Sequence, residues 1–172
     1  TGTQAQPYGY GKEYEGNQID TSTQHYDSPF SHGSHVAGIA CGSGLALNNY
    51  KGVAPNADII IVKMNLNRPD NEFLSSLVDA IKYIFDRADD LGEPAVINVS
   101  LGTYFGSHDG KDIQAQAIDN LINAKPGRVV VCSAGNAGSA PLHLTNTVTS
   151  DTNFTWLQMS SQSIYIQAWG DS

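Results

Sequence analysis

The sequence predicts an α/β fold, a mostly parallel sheet followed by the start of an antiparallel β region, and three observations predict it. Apolar, β-branched runs occur at 57–64 (ADIIIVKM), 95–100 (AVINVS) and 129–132 (VVVC), each bounded by turn residues, as buried strands are. Between them lie two stretches whose apolar residues recur every three or four positions, the spacing of one helix face. Beyond Pro141 the period changes to two, the rhythm of antiparallel strands with one wet face. The order strand, helix, strand, helix, strand implies parallel pairing, because a parallel pair needs a crossover long enough to hold a helix.

Taken in order, residues 1–31 are polar, rich in Gly, Tyr, Gln, Ser and Thr, and read as loop with short irregular turns. Residues 34–44 (SHVAGIACGSG) are small and apolar and predict a short, tightly packed helix ended by glycines. The run at 57–64 predicts a buried strand. From 70 to 91, Leu74, Leu77, Val78, Ile81, Ile84, Phe85 and Ala88 form one apolar stripe on a long helix, with Asn67 or Asp70 as start cap and Gly92 as end cap. Pro94 forbids continuation, and the second strand follows. Ile113, Ala117, Ile118, Leu121 and Ile122 repeat the helical spacing up to Pro126-Gly127, before the third strand. Alternation at Leu142/Leu144, Phe154/Trp156 and Ile164/Ile166/Ala168 predicts about three strands, too few for an independent covered sheet. A boundary is expected near 138–142.

Composition excludes several classes. The 172 residues carry 17 acidic and 9 basic side chains, a net charge of −8, and a nucleic-acid surface needs clustered Lys and Arg, so none is expected. No apolar run approaches the ~20 residues of a membrane span, and the first residues lack the basic start and apolar stretch of a signal peptide. With 40% apolar and 15% charged residues the chain can bury a core. Cys41 and Cys132 are too few for a disulfide scaffold; both fall in apolar segments and read as buried free thiols.

Three segments carry chemistry. His32-Gly33-Ser34-His35 stands at a loop-to-helix junction, where an imidazole titrating near ~6.5 can serve as general base. The bland alternative is a surface histidine. H-x-x-H can also bring two imidazoles together, but no further ligand lies at zinc spacing, and no metal is assigned. Ser133-Ala134-Gly135-Asn136 follows a strand at the edge where α/β sheets gather function, and an Asn amide on such a loop can face developing negative charge. It can equally make only a turn. Asn98-Val99-Ser100-Leu101-Gly102, at the other strand end, can offer backbone groups to an extended peptide or be an ordinary strand end.

In that order, HGSHVAGIA, YKGVAPNADIIIVKM, AVINVSLG and VVVCSAGNAG closely resemble the subtilisin-like serine peptidases. The family's HGTHVAG differs here only in Ser34, its GVAP turn is Gly52-Val53-Ala54-Pro55, and its AAGN loop is 133–136. The resemblance covers about residues 30–138 and implies a sheet with helices on both faces. It implies His32, not His35, as general base and Asn136 as the side-chain donor of the oxyanion hole. It implies that Ser100, Leu101 and Gly102 pair with substrate backbone and wall the specificity pocket, with Ser133, Ala134 and Gly135 as the other wall. The implied partner is a peptide or protein substrate.

A serine triad also needs a nucleophile and an orienting carboxylate. In this family the acid lies on the first core strand, well before the histidine, in an Asp-Thr/Ser-Gly setting. Asp20-Thr21-Ser22 lacks the Gly, lies twelve positions before His32 and follows polar residues, so it is rejected, as is Asp27. The family's GTS-x-A nucleophile motif is absent; Ser160-Ser161 lack the preceding Gly. The expectation is therefore an internal piece of a larger peptidase: a polar loop region at 1–31, a partial peptidase core at 32–140, and the start of a β-rich, jelly-roll-type insertion at 141–172. Alone it should be inactive. The alternative is a catalytically inactive relative acting as a binding or regulatory module. Family members often bind calcium, but Asn48-Asn49 without carboxylates is a poor hard-oxygen set, and no cofactor is expected. The resemblance also implies a secreted or cell-envelope location.

Overall fold

The computed structural model describes residues 2–22, 31–67, 69–158 and 165–170. It divides into two compact units, Thr1–Met64 and Asn65–Ser172.

In the first unit, β1 (Thr3–Gln4) and β2 (Lys12–Glu13) form a small antiparallel pair with Thr3 opposite Glu13. The short helix α1 (Asn17–Thr21) follows. Helix α2 (His32–Cys41) begins two residues earlier than the small-residue pattern suggests, after Ser31 in a left-handed conformation at φ 47°. A helix end orphans its last carbonyls. Here the GVAP turn answers them: Val53 and Ala54 donate to the Ile39 and Ala40 carbonyls at 3.0 and 2.8 Å, and Gly52 donates to Gly42 at 2.8 Å. The approach is so close that a Cβ on Gly52 would stand 2.6 Å from the Gly42 nitrogen.

The run at 57–64 differs from expectation. It joins no ladder among the described residues, and Ile61 is 68% exposed. Strand preference in such a run is a preference for a pleated, half-buried surface, and it is not expressed without a neighbouring strand to pair with.

The second unit is a βαβ arrangement with a preceding helix. Helix α3 (Asp70–Leu91) buries Ile81, Phe85 and Ala88 of the anticipated stripe, together with Phe73, which lies outside it. Its N-cap position is Pro69, with no side-chain cap, rather than Asn67 or Asp70. At its end Gly92 adopts φ 75°, and Gly92 and Glu93 donate to the Asp89 and Ala88 carbonyls, the paired bonds of a Schellman stop. Strand β3 (Ala95–Val99) turns Ala95, Ile97 and Val99 inward. Helix α4 (Ile113–Asn123) is capped by Asp112, whose carboxylate accepts from the Ala115 N–H at 2.8 Å. Strand β4 (Arg128–Cys132) then pairs with β3 in parallel, Ala95 opposite Arg128 through Val99 opposite Cys132.

The core joins Ile81, Phe85 and Ala88 of α3 to the inner face of β3, with Ile118, Leu121 and Ile122 of α4 and Val130 of β4 packed against it. Phe85, fully buried, contributes the most apolar surface, and each such side chain is worth about 1.5–3 kcal/mol on burial. An ionic clasp closes this layer. Asp89 of α3 receives Lys125 at 2.9 Å and Arg128 at 2.7 Å, and the Arg128 guanidinium lies 4.8 Å over the Phe85 ring while donating to the Leu121 carbonyl at 2.8 Å. The two cations hold the Asp89 carboxyl below its ordinary range, Lys125 first and Arg128 after it.

Two expectations are met only in part. Helices α3 and α4 pack on each other and on one face of the β3–β4 pair; the other face, with Val96 75% exposed, carries no helix among the described residues of this unit. In the tail, Leu142, Leu144, Phe154 and Trp156 belong to no strand, and Trp156 is 95% exposed. Ile164 lies outside the described residues. Alternating residues without a pairing partner have no ladder to pay for ordering them. Both cysteines are free, but Cys132 is exposed rather than buried, because β4 ends at the open edge of the pair. No helix among the described residues is long and apolar enough to cross a membrane.

Candidate active site

The second unit builds most of the site from one fact, the register of β3 on β4. Because Val99 stands opposite Cys132 in a parallel pair, the residues after each strand leave the sheet side by side. Ser133 extends the ladder by one bond, donating to the Val99 carbonyl at 3.1 Å. Ser100, Leu101 and Gly102 on one side and Ser133, Ala134 and Gly135 on the other thus continue from paired strand ends at the carboxyl edge. Leu101 packs on the core, which anchors the first segment from below. The Asn98 amide donates to the Ser100 hydroxyl at 2.9 Å.

Gly135 adopts φ 84°, where a side chain would be strained, and turns the chain into Asn136. The Asn136 side chain is exposed, while its backbone N–H donates to the Tyr104 hydroxyl at 2.9 Å. The Tyr104 ring covers the bare face of Gly135: a Cβ there would lie 2.7 Å from the hydroxyl and 3.0 Å from the ring. Tyr104 is a residue that the motifs did not single out. Its only signal is the aromatic pair Tyr104-Phe105 placed just beyond Gly102 in an otherwise polar, glycine-containing loop.

In the first unit His32 is the first residue of α2, exposed, next to the left-handed Ser31; His35 lies one turn on and donates its N–H to the Ser31 carbonyl at 3.0 Å. Asp20 sits on the exposed side of α1, not on a strand. Asp27, Ser160 and Ser161 lie outside the described residues.

Among the described residues no group of three His, Cys, Asp or Glu side chains gathers as a metal would require. In the 48–49 loop the Asn49 side-chain oxygen accepts from the Tyr50 N–H at 2.9 Å. A second acidic group with a lowered pKa lies near the site: Asp109 is held down by the Ser107 hydroxyl first and by the Lys111 N–H next.

Comparison with known proteins gives a consistent result. A family model described as the subtilase family matches residues 4–168. A thermophilic serine proteinase of Bacillus sp. (strain AK1) is 37% identical over 112 residues, which are 64% of this chain and 24% of that protein. Serine protease AprX of Bacillus subtilis (strain 168) is 30% identical over 127 residues, 71% of this chain and 28% of that protein. Among solved structures, the CspB protease of Clostridium perfringens superposes with a TM-score of 0.57 at 31% identity, covering 66% of this chain and 25% of that one. The chain thus spans about a quarter of the length of these relatives.

Proposed function

Because the chain belongs to the subtilase family, we propose that it forms the histidine-bearing and oxyanion-bearing part of a serine endopeptidase acting on peptide or protein substrates. The observation that supports this reading is the parallel register that ends β3 and β4 at one sheet edge, from which 100–102 and 133–136 continue. An extended substrate strand pairs with Ser100, Leu101 and Gly102, and its side chain enters between them and Ser133, Ala134 and Gly135. Asn136 donates its amide to the carbonyl oxygen as that oxygen becomes an oxyanion. His32, on the exposed first turn of α2, is the general base.

In the reaction, a serine Oγ bonds to the scissile carbonyl carbon while its proton passes to the His32 ring. The carbon–nitrogen bond then breaks as the ring returns that proton to the leaving amine, and water repeats the cycle on the acyl-enzyme. The nucleophilic serine and the carboxylate that orients His32 come from outside these 172 residues. That reading rests on the missing GTS-x-A and Asp-Thr/Ser-Gly motifs and on the quarter-length span. Residues 1–31 serve as a polar loop of the peptidase domain, 32–140 as its partial core, and 141–172 as the opening of a β-rich insertion. The protein acts outside the cytoplasm, secreted or at the cell envelope.

The test is covalent labelling of the full-length protein by a serine-directed phosphonate. His32→Ala should abolish labelling, and Asn136→Ala should lower kcat by ~10²–10³, the loss measured on a subtilisin when its oxyanion donor is removed. Labelling that survives His32→Ala overturns the assignment. A full-length protein that never labels, yet binds peptides at this edge, would be a binding module instead.

A further inference from the structure

We propose that Tyr104 is a positioning residue for the oxyanion loop, holding the Asn136 backbone through its hydroxyl so that the Asn136 amide stays aimed; this rests on the endopeptidase reading above. Asn136 has no helix or strand to hold it. It follows a glycine in the left-handed region, and rotation of the Gly135–Asn136 peptide would swing the whole side chain. One bond opposes that rotation, the 2.9 Å hydrogen bond from the Asn136 N–H to the Tyr104 hydroxyl. The ring adds a second restraint by lying flush on Gly135.

Tyr104 can act as an anchor only if it is itself anchored, and its loop is tied at several points. The Tyr104 carbonyl accepts from His108 Nε2 at 2.8 Å. His108 holds a left-handed φ of 58° and stacks on His143 with ring centroids 5.9 Å apart. A non-glycine residue there costs of order 1 kcal/mol and persists only where its surroundings over-determine it. The Asp109 carboxylate accepts from the Lys111 N–H at 2.9 Å, which fixes the turn behind His108. On the far side, Phe105 meets Tyr165 edge-on at 6.4 Å and the Gly106 N–H donates to Gln167 Oε1 at 3.0 Å. The loop at 103–109 thus bridges the tail and the oxyanion loop, with Tyr104 as the residue that reaches the latter.

The substitution that separates this role from plain packing is Tyr104→Phe, which keeps the ring and removes one oxygen. In the full-length enzyme kcat should fall about two- to tenfold, the range one net hydrogen bond spans, with KM unchanged. In an Asn136→Ala background the same substitution should cost nothing further, because no amide remains to aim. In the 172-residue chain the Asn136 amide proton should move upfield and exchange faster. An unchanged kcat in Tyr104→Phe, or an equal fall in the Asn136→Ala background, overturns the proposal. If Asn136→Ala itself leaves kcat intact, the endopeptidase reading of the loop fails separately. The amide resonance then still decides the anchor: a shift on Tyr104→Phe upholds it, and no shift overturns it.

Discussion

Phe85→Ala tests whether the α3–β3 core positions the strand ends as described. Phe85 is fully buried, and truncation of such a ring to Ala costs about 3–5 kcal/mol, transfer loss plus cavity. A second loss is specific to this site. The Arg128 side chain is 10% exposed and its Nε has no hydrogen-bond partner among the described residues, so the ring 4.8 Å beneath it is its remaining cover. Losing a desolvated cation–π contact adds about 1–2 kcal/mol. The sum, about 4–7 kcal/mol, is comparable to the whole stability of a small domain at about 5–15 kcal/mol. Urea unfolding followed by circular dichroism should therefore show the midpoint falling by more than half, and Phe85→Leu should recover most of it. A loss under about 1.5 kcal/mol at unchanged m would mean that the β3–β4 edge is not supported from this core.

Three further outcomes follow from particular contacts. Asp89, held ionised by Lys125 and then Arg128, stabilises the fold above the ordinary carboxylate pKa of about 3.9, and that contribution is lost as pH falls below it. The melting temperature of the native chain should accordingly drop more steeply between pH 5 and pH 3, in rough terms, than that of Asp89→Asn, and parallel curves would refute the clasp. Gly52→Ala should cost about 1–3 kcal/mol in chemical denaturation, because its Cβ would press on the Gly42 and Cys41 nitrogens at 2.6 and 2.7 Å; an unchanged midpoint would show that the turn does not close on α2 as described. Exposed Cys132 should react with a thiol reagent well before Cys41, whose Sγ donates to the Ala37 carbonyl at 3.2 Å, and the reverse order would contradict the placement of β4.

Sequence reading succeeded where one periodicity served one partner. The α3 stripe, its Gly92 stop and the two strands of the parallel pair are all local patterns that packing reinforces. It failed where an apolar pattern needs a partner to become an element. The run at 57–64 and the alternating tail have strand-like rhythm, yet neither meets a ladder among the described residues. That the segments after β3 and β4 leave the sheet at one edge was legible, because parallel strands joined by a helix must end at the same edge. Tyr104 was not legible. A hydrogen bond across 32 residues from a backbone N–H to a loop tyrosine hydroxyl leaves no spacing signal in the sequence.

The βαβ core is contiguous in sequence, and this bears on the order of events during synthesis. Every side chain of the cluster, from Leu77 to Val130, lies within one uninterrupted stretch. Among the described residues its closure draws on no distant segment, so loop-closure entropy is small and folding can begin while the ribosome is still adding the tail. By the time residue 133 emerges, both strand ends are already side by side. The carboxyl edge of the pair is thus laid down early, and the tail that later contacts the 103–109 loop through Tyr165 and Gln167 arrives at a template already in place.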